Sequence, residues 1–211
     1  MEDNKRRRHS SASVGSNADD LRQFVQGYYP FLSFCQNGLP YHPTVHRHYH
    51  YIYLDRPVAK YAGHLDSVLI VAWSPDGTRI ASGGSDWRIH VWEANTEKLL
   101  LIYSGHTEVV STIAWSPDST RIASGSYDTT LQVWNANNGA RILTYYDHPD
   151  TVYSVAWSPD STRIVSGSYD GMDQMWDASS GEALFAYRGG GLFVAWSPTG
   201  NLIASGGKME S

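Results

Sequence analysis

The stretch WSPDSTRIASGSYD at residues 115–128 returns as WSPDSTRIVSGSYD at residues 157–170, with one change in fourteen positions. The two copies are 42 residues apart, since 157 minus 115 equals 42, and other markers keep the same spacing. These markers are two tryptophan series and one histidine series: Trp73, Trp115, Trp157; Trp92, Trp134, Trp176; and His64, His106, His148. A fixed period of this length predicts an array of similar units, each of which buries its faces only against its neighbours.

Each period has the pattern of four short β-strands. The segments SVLIVAW, TRIAS, RIHVW and LLLIY are rich in β-branched and aromatic residues and are separated by Pro, Asp, Gly and Ser. In the first copy SPDG at 74–77 places Pro second and Gly fourth, which predicts a tight type I turn between the first two strands. Ser119 and Ser161 stand where that Gly stands, so we expect a small cost in stability if the position needs a positive φ.

The recurring motifs carry a resemblance to a known family. The GH pair, the SPDG-like turn, the SGS-x-D segment and the terminal tryptophan together resemble the WD-repeat β-propeller family, over roughly residues 46–211. The Trp-Asp dipeptide itself occurs only as Trp176-Asp177, while the other copies end in Trp-Glu and Trp-Asn. The near-identity of the copies also resembles the WD-repeat arrays of bacterial and fungal signalling proteins.

The resemblance implies an all-β fold. The expected architecture is a β-propeller of four-stranded antiparallel blades, with three full blades and a partial or hybrid fourth. The repeats run over about 61–102, 103–144 and 145–186, and the partial repeat over 187–211.

Every full copy places His, Ser, Asp and Trp at matching positions, which raises the hypothesis of a catalytic triad. A nucleophile is needed once, in a cleft, whereas this set occurs three times at a structural period. We therefore predict no catalytic residue and no enzymatic activity. In the resembled family such a set forms a hydrogen-bonded chain inside each blade, and buried polar groups do need such partners. The sets are His64, Ser82, Asp86, Trp92; His106, Ser124, Asp128, Trp134; and His148, Ser166, Asp170, Trp176.

Three full copies are too few to close a ring, because a closed propeller has about four to eight blades. Three alternatives for the closure remain. The fourth copy begins at Trp196 and supplies two strands, and residues 46–64 fall where a third and a fourth strand would lie. Strands from both ends would then form a hybrid blade and a four-bladed ring. Alternatively two chains pair as a homo-oligomer with seven or eight blades, or the sequence is a truncated part of a longer protein.

The residues before the repeats divide into two segments. Residues 1–20 are basic and rich in Ser and predict a disordered tail, and residues 21–45 form an aromatic-rich linker without an assignment. A histidine cluster follows, and imidazoles at its spacing could hold zinc or copper. No carboxylate or thiolate lies near it and alternation along a strand explains its spacing, so we predict no metal and no cofactor. Its members are His42, His46, His48 and His50.

Composition excludes several classes of protein. The net charge of -5 gives no basic surface for nucleic acid, and the single cysteine, Cys35, excludes a disulfide framework. No apolar run approaches the roughly 18 residues that cross a bilayer, so we expect no membrane partner. We expect a soluble, cytoplasmic protein.

The residues on either side of the Asp in each set are the predicted site. In the resembled family they point to the top face, where protein partners dock, and exposed Trp and Tyr favour such contacts. These residues are Ser85, Trp87, Tyr127, Thr129, Tyr169 and Gly171. The predicted function is a non-catalytic protein–protein interaction scaffold. The alternative is a regulatory or sensor module of a larger signalling protein.

Overall fold

The computed structural model of the chain describes residues 49–53, 56–189 and 191–207. The predicted tail at 1–20, the linker at 21–45 and His42, His46 and His48 lie outside these residues. The described part is all-β and holds sixteen strands. No helix in it is long and apolar enough to pass through a bilayer.

Twelve of the strands form three four-stranded antiparallel sheets, which we call blades 1, 2 and 3. Each blade has its strands in chain order, so that every strand pairs with the next one. The bounds are β3 (Val68–Trp73), β4 (Arg79–Gly84), β5 (Ile89–Glu93) and β6 (Leu99–Tyr103); β7 (Val110–Trp115), β8 (Arg121–Ser126), β9 (Leu131–Asn135) and β10 (Arg141–Tyr145); and β11 (Val152–Trp157), β12 (Arg163–Ser168), β13 (Met172–Asp177) and β14 (Ala183–Arg188). The predicted strands are therefore confirmed.

The turn between the first two strands of each blade has the predicted form. In blade 1 the amide of Gly77 donates to the carbonyl of Ser74 over 2.8 Å, and Gly77 has a φ of 70°. Ser119 and Ser161 take the same conformation, with φ of 60° and 61°. A positive φ is unfavourable for a side chain with a Cβ, so the expected cost at these two serines is present.

Neighbouring blades are joined by a contact that recurs along the array. The indole N–H of Trp157, on the first strand of blade 3, donates to the carbonyl of Ala114 in blade 2 over 3.1 Å. The guanidinium of Arg121 lies over the same indole, 4.7 Å from the ring centroid, and donates to the carbonyl of Ser161 over 2.6 Å. Arg79 makes the equivalent contact with Trp115. These contacts fix how one blade sits on the next.

Two half-sheets flank the three blades. One pairs β1 (Tyr49–Tyr53) with β2 (Arg56–Tyr61), and the other pairs β15 (Phe193–Trp196) with β16 (Ile203–Gly206). Tyr61 stacks on Trp92 of blade 1 at 5.0 Å, as Tyr103 stacks on Trp134 of blade 2 at 4.5 Å. The first half-sheet thus takes the place of the outer strands of a preceding blade.

The two half-sheets do not join into one hybrid blade. They remain separate two-stranded sheets, because one packs on blade 1 and the other follows blade 3 at the far end of the array. Of the two predicted forms of the fourth blade, the structure therefore has the partial one, and the ring is open. The pairing of two chains remains a prediction.

The open end leaves apolar residues of blade 3 uncovered. The outer strand β14 is exposed at all six positions. Tyr187 is 54% exposed, whereas Tyr103, at the same place in blade 1, is 6% exposed. Tyr103 is covered by Trp134, which lies on the third strand of the next blade. The half-sheet after blade 3 has only the first two strands of a blade, so no such tryptophan in the described part of the chain covers Tyr187.

The antiparallel order defines two faces of the array. The loops before the first strand of each blade and the turns between its second and third strands lie at one end, which we call the top face. Its loops are 62–67, 104–109 and 146–151, and its turns are 85–88, 127–130 and 169–171. The SPD turns lie on the opposite, bottom face.

Candidate protein-binding face

A buried hydrogen-bonded chain of four side chains runs through each blade. In blade 2 the indole N–H of Trp134 donates to Ser124 Oγ over 3.3 Å, and Ser124 Oγ lies 2.8 Å from Nε2 of His106. The Nδ1 atom of His106 lies 2.9 Å from a carboxylate oxygen of Asp128. Blades 1 and 3 repeat these contacts, so each of the three sets of four residues forms one such chain.

The same chain fixes the top face. Asp128 also accepts a hydrogen bond from the amide of Thr107 over 3.0 Å, and Asp86 accepts one from the amide of Leu65 over 3.1 Å. Burial by itself would raise the pKa of Asp128, but the hydrogen bonds from His106, Thr130 and Thr107 hold it well below its usual range. In blades 1 and 2 the charged carboxylate therefore ties the turn of the top face to the loop beside it.

Blade 1 contains a second buried histidine where the other blades have glutamine. His90 stacks on His64 with ring centroids 3.9 Å apart, and its Nδ1 atom lies 2.7 Å from the hydroxyl of Tyr61. Its Nε2 atom is buried and has no hydrogen-bond partner in the described residues. Burial, and then the nearby His64, lower the pKa of His90 to about 4.

This histidine pair brings three potential metal ligands together, since ligand atoms of His64, Asp86 and His90 lie within 4.8 Å of one another. The two rings are stacked at an interplanar angle of 19°, so their in-plane lone pairs run side by side and do not converge on one point. His64 already uses both nitrogens in hydrogen bonds to Asp86 and Ser82. The geometry is that of a packed polar core.

Exposed aromatic side chains stand on the top face at the predicted positions. Trp87 is 46% exposed, Tyr127 44% and Tyr169 61%. Trp87 has a φ of 64°, and Thr129 and Gly171 hold the same turn position with φ of 69° and 77°. Burial does not explain a tryptophan at this position, since the side chain of Trp87 is exposed. Backbone preference does not explain it either, because a positive φ suits glycine, and Gly171 adopts it in blade 3 without strain.

Three of the tyrosines form a continuous row, which we call the tyrosine ladder: Tyr127, Tyr153 and Tyr169. The rings of Tyr127 and Tyr153 have centroids 5.9 Å apart, and those of Tyr153 and Tyr169 are 6.0 Å apart. A hydrogen bond with Tyr127 is the main reason why the pKa of Tyr153 is raised to about 12. The ladder crosses the top face from blade 2 to blade 3.

The structure places the remaining predicted residues beside these rings. The backbone amides of Ser85, Tyr127 and Tyr169 each donate to a carbonyl of the adjoining top loop, over 2.8 to 3.0 Å. Ser85 and Thr129 are half-buried turn residues, and Gly171 has no side chain to offer. In the part of the chain that the structure describes, no ring contact joins Trp87 to the tyrosine ladder.

Sequence reasoning missed Tyr153 and the arginines between the blades. Tyr153 lies on β11, and the same position holds Leu69 in blade 1 and Ser111 in blade 2. The valine before it repeats while this position varies, which was a signal for a side chain that the blade interior does not specify. The arginines recur within the motif TRI at 78–80, 120–122 and 162–164, so their period also marked them as structural.

Comparison with known families agrees with this geometry. The sequence model of the family described as "WD domain, G-beta repeat" matches residues 55–93, 97–135 and 139–177, which is more than half of the chain. The chain belongs to the WD-repeat family. A search of curated proteins found no significant match.

Each matched WD repeat is offset from a blade. Residues 97–135 include β6, the outer strand of blade 1, and then the first three strands of blade 2. One repeat therefore spans two blades and binds them together. WD-repeat domains generally act as non-catalytic scaffolds for protein interactions, and the buried serines of the three sets, each 0% exposed, are out of reach of a substrate.

Proposed function

We propose that this WD-repeat array is a protein-interaction scaffold whose partner docks on the top face. The observation that carries the proposal is the set of aromatic rings exposed there, Trp87, Tyr127 and Tyr169, on turns held rigid by the buried sets. Tyr and Trp bring large and rigid contact area at a low cost in conformational entropy, and they dominate the energetic centres of protein interfaces.

Differences between the copies support the same face. The bottom hairpin and the second strand are nearly identical in blades 2 and 3, where WSPDSTRI is followed by ASGSYD or VSGSYD. The top face varies at matching positions: Leu69, Ser111 and Tyr153, or Trp87, Thr129 and Gly171. Residues that the fold requires are kept alike in every copy. The varying positions of the top face are free of that requirement and can serve a partner.

The test is a selection of randomised short peptides displayed on phage against the whole chain. Each enriched peptide is then measured for affinity against three variants: Trp87→Ala, Tyr127→Ala and Tyr169→Ala. We expect at least one variant to lose about 2 kcal/mol of binding free energy for most peptides, roughly 30-fold in affinity, because each substitution removes a hot-spot ring.

The matched control is Ile142→Ala. Ile142 is 42% exposed on the outer strand β10, close to the 44% of Tyr127, and it lies away from the top face. Its substitution should leave the affinities unchanged. Peptides that bind all three top-face variants with full affinity and lose it in the control would refute the proposal.

A further inference from the structure

The charge around the tyrosine ladder identifies the kind of partner. Each blade carries an acidic residue at the same place in its top loop, and we call these three residues the acidic rim: Asp66, Glu108 and Asp150. All three are exposed. Neighbouring positions of the loops differ between copies, as Leu65, Thr107 and Pro149 show, but the negative charge is kept.

The acidic rim lies directly beside the aromatic turns. The amide of Tyr127 donates to the carbonyl of Val109, which follows Glu108, over 3.0 Å. The amide of Tyr169 donates to the carbonyl of Thr151, which follows Asp150, over 2.9 Å. Glu108 and Asp150 therefore lie in the loops that hold the turns of Tyr127 and Tyr169.

Positive charge on this face is scarce. In the described top loops and turns, Arg88 is the one lysine or arginine, and Arg188 ends the outer strand β14 at the rim of blade 3. Asp147 adds a further exposed carboxylate in the top loop of blade 3. A phosphate backbone or an anionic membrane would be repelled by such a surface, whereas a cationic segment would be attracted.

The molecule already shows how an arginine sits on such rings. Between the blades, guanidinium groups lie 4.7 to 5.0 Å from tryptophan centroids in three places. No cation lies over the tyrosine ladder in the described residues. A planar guanidinium stacks on an aromatic face and pairs with a carboxylate at once, which a lysine ammonium does less well.

We infer that the partner segment that docks on the top face is basic, with an arginine laid over the tyrosine ladder and paired with Glu108 or Asp150. The inference rests on the proposed function and names the chemistry of the partner. A neutral apolar segment would use the rings but would gain nothing from the acidic rim.

The test uses three fluorescent short peptides of the same length, in which glycine alternates with arginine, with lysine or with glutamate. Binding to the whole chain is followed by fluorescence anisotropy at low and at physiological salt. We expect the arginine peptide to bind three- to tenfold more tightly than the lysine peptide and the glutamate peptide not to bind. Absence of saturable binding by the arginine peptide would overturn the inference.

Two variants separate the two contributions. Tyr153→Leu removes the middle ring and keeps an apolar side chain, and it should weaken the arginine peptide about fivefold at both salt concentrations. Glu108→Gln together with Asp150→Asn should weaken it by a similar factor at low salt and by much less at physiological salt, because screening already reduces that attraction.

Matched controls lie elsewhere on the same molecule. Phe185→Leu removes an exposed aromatic ring from the outer strand β14, and Glu182→Gln removes an exposed charge from the bottom face. Both should leave binding unchanged, and an equal loss in either control would contradict a defined site. Selected peptides that depend on the top face but are neutral or acidic would refute the basic partner and leave the scaffold function intact.

Discussion

Single residues in this array differ between copies, and the differences show what each position requires. His90 occupies the place of Gln132 in blade 2, where the glutamine amide donates to the carbonyl of Gly105 over 3.2 Å and its oxygen accepts from Tyr103 over 2.6 Å. His90 keeps the contact with the tyrosine of its own interface and leaves Nε2 without a partner in the described residues. Blade 1 therefore has a buried polar atom without a partner in the described residues, at a position where the glutamine of blade 2 is fully hydrogen-bonded.

The substitution His90→Gln should make the protein more resistant to acid. The pKa of His90 is about 4 in the folded chain and about 6.5 in an unfolded one, so the unfolded state binds more protons between these values. The stability that neutral His90 contributes is fully present above pH 6.5 and is lost as the pH drops toward 4. Over this range the free energy of unfolding of the variant should fall by roughly 2 kcal/mol less than that of the wild type.

Chemical unfolding at a series of pH values measures this difference. Gln132→His, which installs the histidine in blade 2, is the reciprocal variant and should increase the loss of stability in acid. Parallel pH profiles for the wild type and His90→Gln would contradict the assignment.

The substitution Ser161→Gly should stabilise the protein by about 0.5 kcal/mol. Ser161 has a φ of 61°, and glycine relieves a strain of about 1–2 kcal/mol at the cost of greater freedom in the unfolded chain. Thermal unfolding of the variant measures the gain. Gly77→Ser places the strained residue in blade 1 and should lower the melting temperature, so a stabilising effect there would count against the argument.

At the level of the strands and blades, much of the structure could be predicted and some could not. Strand positions, the SPD turns and the buried sets follow from spacing along a single repeat, because each depends on contacts within one blade. The tyrosine ladder and the arginine–tryptophan contacts depend on how blade 2 meets blade 3. That geometry is set by packing across the interface, which the alternation of residues in one strand does not determine.

The substitution Arg121→Ala should weaken the joint between blades 2 and 3. It removes the guanidinium from the ring of Trp157 and the hydrogen bond to the carbonyl of Ser161, for an expected loss of about 1–2 kcal/mol. Denaturant unfolding provides the measurement. Arg141→Ala, at an exposed position of the outer strand β10, is the control and should change stability by less than about 0.5 kcal/mol.

For the whole molecule, the open array predicts a gradient of stability. Blade 2 is covered by a full blade on each side, whereas β16 is exposed at all four positions and β14 at all six. In repeat proteins stability comes from each unit and its nearest neighbours, so terminal units open most easily. Closure of the ring was not predictable from strand counts, because two strands at each end fit a hybrid blade and an open array equally well.

Hydrogen exchange should therefore show the slowest exchange in β7, β8 and β9 and the fastest in β15 and β16. Uniform protection across all described strands would contradict an open array and would indicate that the end strands are covered in solution.

The top face is the centre of the functional account, and the most direct test is a hydrogen-exchange footprint of the arginine peptide on the whole chain. We predict added protection in the top turns at 127–130 and 169–171 and in the loop at 146–151 when the peptide is bound. The bottom turns at 116–120 and 158–162 should not change. Protection confined to the bottom turns or to β16 would contradict the account.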